Sequence, residues 1–291
     1  MSQIVELPVA QWAPAASADL RDTAVRALEQ GHVLLFPQLD FATSADEQRA
    51  MGAKVSESDK NVSFDPASGV LRGSSASAAD QQVLADMLRR YGDSTISLLD
   101  SLFPGYKAGR HQGRTSFRPV EIAGRVSSWR KDDTRLHVDS FPSSPTKGRR
   151  ILRVFTNVNP NGQGRQWRLG EPFEAAAKRF LPGMPAPLPG SAALLHKLGI
   201  TKSRRSAYDH YMLKLHDSMK ADAGYQADVT QIAHAFAPRS SWMVYTDQAS
   251  HAAMGGQFAL EQTWTLDVAA MNDPTTSPLQ VLQRLTRRTL V

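Results

Sequence analysis

The chain has 291 residues, 41% hydrophobic and 21% charged, which describes a globular protein able to bury a sizeable core and excludes a disordered or fibrous one. The absence of cysteine excludes disulfides, thiolate zinc sites and thiol nucleophiles. A net charge of +6 favours an anionic partner, and no nucleic-acid-binding motif accompanies it, so no nucleic-acid partner is expected.

The N-terminal stretch MSQIVELPVAQWAPAASADL carries Glu6 and no basic n-region, so no secretory signal is expected. No apolar run approaches the roughly 18 residues needed to span a bilayer, and a cytoplasmic protein is expected. SADLRDTAVRALEQG predicts a helix capped by Ser17 or Asp19 and stopped by Gly31. HVLLFPQLD reads as a short buried strand ended by proline. SAADQQVLADMLRRYGDSTISLLDSLFPG has helical spacing at Val83, Leu84, Met87 and Leu88, with a second helical turn from Ile96 to Leu102. Residues 1–109 are thus expected to form a mainly helical support.

After Gly109 the texture changes. TSFRPVEIAGR, TRLHVDSFP, RILRVFTNVNP, SAALLHKLG, RSSWMVYTDQASHAA and QFALEQTWTLDVAA are short, β-branched or aromatic, and bounded by turn residues. A run of such strands predicts a sandwich or barrel over residues 110–270 rather than alternating β and α units. Helical insertions are expected at about 170–182, in EPFEAAAKRFLPG, and at 203–224, around SAYDHYMLKLHDSMKADAG. The last segment, 271–291, ends in SPLQVLQRLTRRTLV and reads as a basic terminal helix.

Within RLHVDSFP, His137 and Asp139 flank Val138. Alternate strand residues share a face, so the imidazole and carboxylate would project together. Two histidines and one carboxylate make the facial triad of non-haem Fe(II) oxygenases. By itself H-x-D often marks only a His–Asp hydrogen bond. The third ligand is expected to be His251, which lies between two strand-like stretches. His234 in QIAHAFAPR is the second choice, ahead of His32, His196, His210 and His216. Arg153 sits inside an apolar strand and needs an anion: either a structural carboxylate or a small dicarboxylate gripped bidentately. Arg118 is a second candidate on the same reasoning. Thr156, Asn157 and Asn159 close the Arg153 strand, as turn residues or at the mouth of a site.

SSWRKDDTRLHVDSFPSSPTKGRRILRVFTNVNP, together with WMVYTDQASHAAMGGQFALEQT, resembles the Kdo (3-deoxy-D-manno-oct-2-ulosonic acid) hydroxylase family over residues 110–267. The resemblance implies an α+β chain with a double-stranded β-helix core of the jelly-roll or cupin-like kind. It implies an Fe(II)-, 2-oxoglutarate- and O2-dependent dioxygenase of Gram-negative bacteria. Such an enzyme hydroxylates carbon 3 of Kdo to give D-glycero-D-talo-oct-2-ulosonic acid in the inner core of lipopolysaccharide. His137, Asp139 and His251 would hold the iron. In the wider superfamily an arginine a little beyond the distal histidine binds 2-oxoglutarate, but no Lys or Arg occurs between Ala252 and Gln283. Arg153 is therefore the expected anchor, with Arg118 and Gln262 as further candidates.

Arg130, Lys131, Arg149 and Arg150 flank the motif and are candidates for the anionic sugar, as are Tyr208 and His210 on a helix that would cover the mouth. The partner would be a Kdo sugar or Kdo-bearing lipid A precursor. Peripheral contact with the anionic inner face of the inner membrane would run through Arg284, Arg287 and Arg288 on the terminal helix, unless that helix packs on the barrel. The rival readings are a cupin-like metalloenzyme without 2-oxoglutarate and a non-catalytic module that binds lipid A or an anionic membrane.

Overall fold

The computed structural model describes residues 3–52 and 61–291. Strands β1 (Ile4–Glu6), β2 (Val33–Phe36), β3 (Val62–Asp65), β4 (Val70–Arg72), β5 (Arg110–Arg118), β6 (Arg150–Asn157), β9 (Ser241–Tyr245) and β11 (Ala259–Leu266) form one sheet. Its order is β1-β2-β9-β6-β11-β5-β3-β4, antiparallel except between β1 and β2. Strands β7 (Arg165–Leu169), β8 (Ile232–Phe236) and β10 (His251–Gly255) form a smaller antiparallel sheet in the order β10-β7-β8.

Apolar side chains from both sheets meet between them. Phe155, Trp242 and Val244 of the large sheet pack against Trp167, Leu169 and Phe236 of the small one. Trp242 stacks on Phe236 with centroids 4.0 Å apart. This is the expected jelly-roll layering, with inward residues repeating every second position along each strand.

Helices α1 (Ala18–Glu29) and α3 (Ala78–Leu102) cover the outer face of the large sheet. Ser17 caps α1 by accepting from the Leu20 amide, and Gly31 turns the chain out at φ +87°. α3 is one continuous 25-residue helix, with no break between its two predicted parts. It lies so close to the sheet that a Cβ on Gly92 would meet Gln112, Gln262 and Thr115 at 3.1–3.3 Å. A short helix α2 (Ala45–Met51) carries a Ser44–Glu47 capping box.

A second helical layer holds α4 (Phe173–Phe180), α6 (Ala207–Ala221), α7 (Ala223–Asp228) and α8 (Pro278–Thr286), packed with Leu136, Val138 and Ala252. Leu279, Val281, Leu282 and Leu290 are buried in it. Burying a leucine fully is worth roughly 1.5–3 kcal/mol, so the terminal helix is held by packing, with its arginines facing outward. Arg284 bonds the Thr275 carbonyl and lies near Glu174.

Several expectations are corrected. SAALLHKLG is helix α5 (Ser191–Lys197), as its alanines and leucines favour, with Gly190 and Gly199 at positive φ on either side. The first hundred residues contribute four strands as well as helices. RQWRL and IAHAF are strands β7 and β8, short enough to be missed among the glycines and polar residues around them. TRLHVDSFP makes no ladder; it forms a single antiparallel bridge between His137 and His251.

Candidate metal and dicarboxylate site

That bridge assembles the site. The His137 amide donates to the His251 carbonyl at 3.0 Å and the His251 amide returns the bond at 2.9 Å. Two residues on, the Asp139 amide donates to the Thr246 carbonyl at 2.7 Å, just past β9. The H-x-D segment therefore spans the edge of the small sheet and the end of a central strand of the large one. Val138 points the other way, into the helical layer.

One potential ligand atom from each of His137, Asp139 and His251 falls within 4.8 Å of the others. The His137 Nδ1 sits 2.8 Å from the Arg135 carbonyl, and the His251 Nδ1 sits 2.9 Å from the Ala249 carbonyl. A carbonyl only accepts, so each Nδ1 carries the proton and each Nε2 keeps its lone pair free. Burial lowers the pKa of both imidazoles, and for His137 the neighbouring His251 lowers it further, so both are neutral. Burial alone would raise the Asp139 carboxyl, but the Arg153 guanidinium overrides it and holds it well below the usual range. Two neutral imidazoles and one carboxylate form a donor set that fits a divalent cation. The ring of Trp167 stacks on His251 at 5.2 Å and fixes its plane.

The three groups open into a cavity of about 520 Å³ whose lining includes Arg118, Arg153, Phe155, Arg165 and Trp167. Arg153 lies 3.0 Å from Asp139 Oδ2 through one nitrogen and 3.0 Å from Glu261 Oε1 through the other. Glu261 also binds Arg118. Arg165, from β7, is 4% exposed and donates to the Gly256 carbonyl, with no carboxylate within ion-pair distance among the described residues. Burial first, then the nearby Arg118, push its pKa down to about 10. Four arginines, Arg118, Arg130, Arg153 and Arg165, thus line the cavity against the carboxylates of Asp133 and Asp139, with Glu261 paired behind Arg118 and Arg153. Arg153 Nε and Trp167 Nε1 are buried without hydrogen-bond partners among the described residues. A cavity with surplus positive charge and idle donors is built for an anion.

The other expected residues separate into two groups. Arg130 and Lys131 line the cavity on a 3-10 turn, Trp129–Lys131. Arg150, Arg149, Tyr208, His210 and Gln262 do not reach it. Arg150 is fully buried, paired with Asp247 at 2.9 Å and bonded to Gln248, so its anion is structural. Arg149 is at the surface on Asp267. Tyr208 is in the helical core, and His210 faces the Pro185 carbonyl. Gln262 points to the opposite side of β11 from Glu261, bonding Thr115 and Gly113 under α3. Asn157, the last residue of β6, donates to the Gln163 and Phe236 carbonyls and accepts from the Asn159 amide, closing the strand structurally. His234 pairs across β8 and β7 with Trp167 and is absent from the triad.

Arg165, Trp167 and Lys220 line the cavity without having been singled out from the sequence, and so does His216, which the sequence offered only as a lesser third-ligand choice. The period-2 run Arg165, Trp167, Leu169 and the i, i+4 spacing of His216 and Lys220 are the signals that mark them. The His216 ring meets that of His137 edge-on at 5.3 Å.

A family profile described as 3-deoxy-D-manno-oct-2-ulosonic acid (Kdo) hydroxylase matches residues 11–289. A solved Kdo hydroxylase, described as a non-haem Fe(II) α-ketoglutarate-dependent dioxygenase and holding α-ketoglutarate and Fe(III), is 46% identical. Its TM-score is 0.95, with 99% of this chain and 97% of that one covered. A cobalt(II) complex of a Kdo hydroxylase matches with a TM-score of 0.97 at 46% identity, covering 100% and 98%. A complex with succinate and Fe(III) gives 0.95 at 46%, again covering 100% and 98%. No match was found among curated protein sequences. The matched profile, spanning nearly the whole chain around a two-histidine, one-aspartate cluster, places this protein in the Kdo hydroxylase family.

Proposed function

We infer that this protein hydroxylates Kdo in a reaction dependent on Fe(II), 2-oxoglutarate (α-ketoglutarate) and O2. The observation that carries the reading is the triad of His137, Asp139 and His251 opening onto a cavity with surplus arginine. The α-ketoglutarate held by a 46% identical relative supports it over a metalloenzyme that needs no such co-substrate.

His137, Asp139 and His251 would hold the metal through two Nε2 atoms and one carboxylate oxygen. Bound Fe(II) supplies the activation of O2 and the oxidation of an unactivated C–H bond. The protein's part is to bind, orient and exclude water. Arg153, Arg165 and Arg118 offer the far carboxylate of 2-oxoglutarate fork-shaped donors, and Trp167 and Phe155 give an apolar wall for its methylenes. Arg153 also steadies Asp139, so the dicarboxylate and the metal ligand share one arginine. Arg130 and Lys131, at the cavity wall, are suited to the sugar carboxylate. Carbon 3 is the proposed position and a Kdo-bearing lipid A precursor the proposed natural substrate, reached by peripheral contact with an anionic membrane.

The test is mass spectrometry of Kdo-bearing lipid and of a short soluble Kdo glycoside incubated with protein, Fe(II) and 2-oxoglutarate under O2. One oxygen should appear in the sugar for each succinate and CO2 formed. Succinate release without oxygenation of either Kdo substrate would defeat the reading.

A further inference from the structure

Helix α5 contains no buried residue. A seven-residue helix is marginal in water, and stability in short helices comes from an apolar face laid against something. Leu194 and Leu198, four positions apart, share one side of it and are 57% and 63% exposed. Leu188 before it and Ile200 after it are 75% and 52% exposed. Four large apolar side chains within thirteen residues therefore face outward.

The same region is electrostatically one-sided. Between Glu174 and Asp209 the chain has no acidic residue and carries Lys178, Arg179, Lys197, Lys202, Arg204 and Arg205. That positive charge equals the net +6 of the whole chain, so the remaining residues sum to neutrality. Lys178 and Arg179 pair with Glu174 and Glu171. Lys197, Lys202 and Arg204 are exposed beside the leucines. The segment that leads into α5 contributes Pro182, Met184 and Ala186 to a groove of about 480 Å³, lined also by Leu181, Tyr211 and Leu285, with Lys178 and Arg288 in its lining.

The lobe is tied to the reaction cavity. The Lys202 amide donates to the Ser143 carbonyl at 2.9 Å, and Arg205 donates to the Pro142 carbonyl. Pro142 lines the cavity only three residues beyond Asp139.

We propose that residues 182–205 are the membrane-seating element of this protein: Leu188, Leu194, Leu198 and Ile200 enter the headgroup layer of an anionic bilayer, with Lys197, Lys202 and Arg204 on the lipid phosphates. Exposed apolar side chains interleaved with lysine and arginine are the chemistry of interfacial attachment. The terminal helix, whose apolar face is spent in the core, adds only the exposed Arg287 and Arg288 at its end. Seated this way, the lobe holds the cavity mouth beside the bilayer, where a lipid-anchored sugar is presented. The proposal rests on the Kdo-lipid reading above.

Two variants test it, each confined to exposed side chains: Lys197→Glu/Lys202→Glu/Arg204→Glu, and Leu194→Ser/Leu198→Ser. Wild-type protein should co-sediment at low salt with vesicles of phosphatidylethanolamine and phosphatidylglycerol more than with phosphatidylcholine alone. Partition should fall by about fivefold for each basic residue lost, and also in the leucine variant. Turnover of the short soluble Kdo glycoside should be unchanged in both variants, while turnover of vesicle-embedded Kdo lipid falls. Equal pelleting of wild type and variants overturns the proposal. So does a wild-type dimer that the leucine variant dissociates, because the face is then a contact between copies. Vesicle binding lost in the variants, with no Kdo substrate oxygenated by wild type, leaves the surface standing and removes the activity. Oxygenation of soluble substrate without vesicle binding does the reverse.

Discussion

Arg153 and Asp139 are joined at 3.0 Å inside the cavity, and the same guanidinium reaches Glu261 at 3.0 Å on its other side. One arginine from the large sheet thus carries both a metal-binding carboxylate and the wall of the dicarboxylate cavity. Replacing it therefore affects both functions. Arg153→Ala is expected to raise the 2-oxoglutarate KM about a hundredfold, from the loss of about 3 kcal/mol in a largely buried charge pair. Metal affinity should fall as well, by roughly tenfold, because Asp139 loses the group that orients it. Isothermal titration with Co(II), then with 2-oxoglutarate, reads both. Unchanged binding of 2-oxoglutarate would remove Arg153 from the cradle.

Arg165 is expected to behave differently. Among the described residues no carboxylate lies within ion-pair distance of it, and burial outweighs the more distant Glu121, Asp133 and Glu261, so its charge is a cost to the empty protein that a bound anion relieves. Arg165→Met should leave the thermal midpoint of the ligand-free protein unchanged or higher, while abolishing the rise that 2-oxoglutarate produces. A fall in the ligand-free midpoint comparable to that of Arg150 variants would instead make Arg165 a structural residue.

The contrast between these arginines shows what was legible in the sequence. A buried arginine on an apolar strand says that an anion is near, not which anion. Arg150 and Arg153 lie on the same strand three positions apart, hence on opposite faces. One finds Asp247 outside the sheet sandwich and the other finds the cavity. The phase of the strand relative to the core decides between them, and only the folded register supplies it. His137 and Asp139 were legible because their spacing is local, and His251 because few histidines lie in strand-like sequence. Arg165 and Trp167 were hidden in a five-residue strand between glycines. His216 lies on a helix, and only the fold shows which face of that helix meets the triad. SAALLHKLG misled for a related reason: a short apolar run does not reveal its period.

Arg150 gives the third expectation. It is bonded to Asp247 and Gln248 and lies 3.8 Å above the Tyr245 ring. Arg150→Met should lower stability by about 3–5 kcal/mol, because Asp247 is left buried and unpaired. Adding Asp247→Leu should recover a large part of the loss. Urea denaturation of the single and double variants decides. A single variant as stable as wild type, with impaired sugar binding, would return Arg150 to the substrate site.

The last expectation concerns the metal ligands. Metal that binds the folded state alone stabilises it by about 2.7 kcal/mol at a hundred times its Kd. At roughly 2–4 °C per kcal/mol for a chain of this size class, Co(II) should raise the thermal midpoint by about 5–10 °C. His137→Ala, Asp139→Ala and His251→Ala should each erase that rise, since each removes one of three donors. His234→Ala should retain it in full, because His234 faces Phe236 at 4.6 Å on β8 rather than the triad. Asp139→Ala should also weaken 2-oxoglutarate binding measured without metal, because Arg153 then collapses onto Glu261 as its single carboxylate partner. His137→Ala, which leaves that ion pair intact, should not. Differential scanning fluorimetry with and without Co(II), paired with metal-free 2-oxoglutarate titration, separates Asp139 from the two histidines by these two readouts. Retention of the full Co(II) shift in the His251 variant would break the triad assignment.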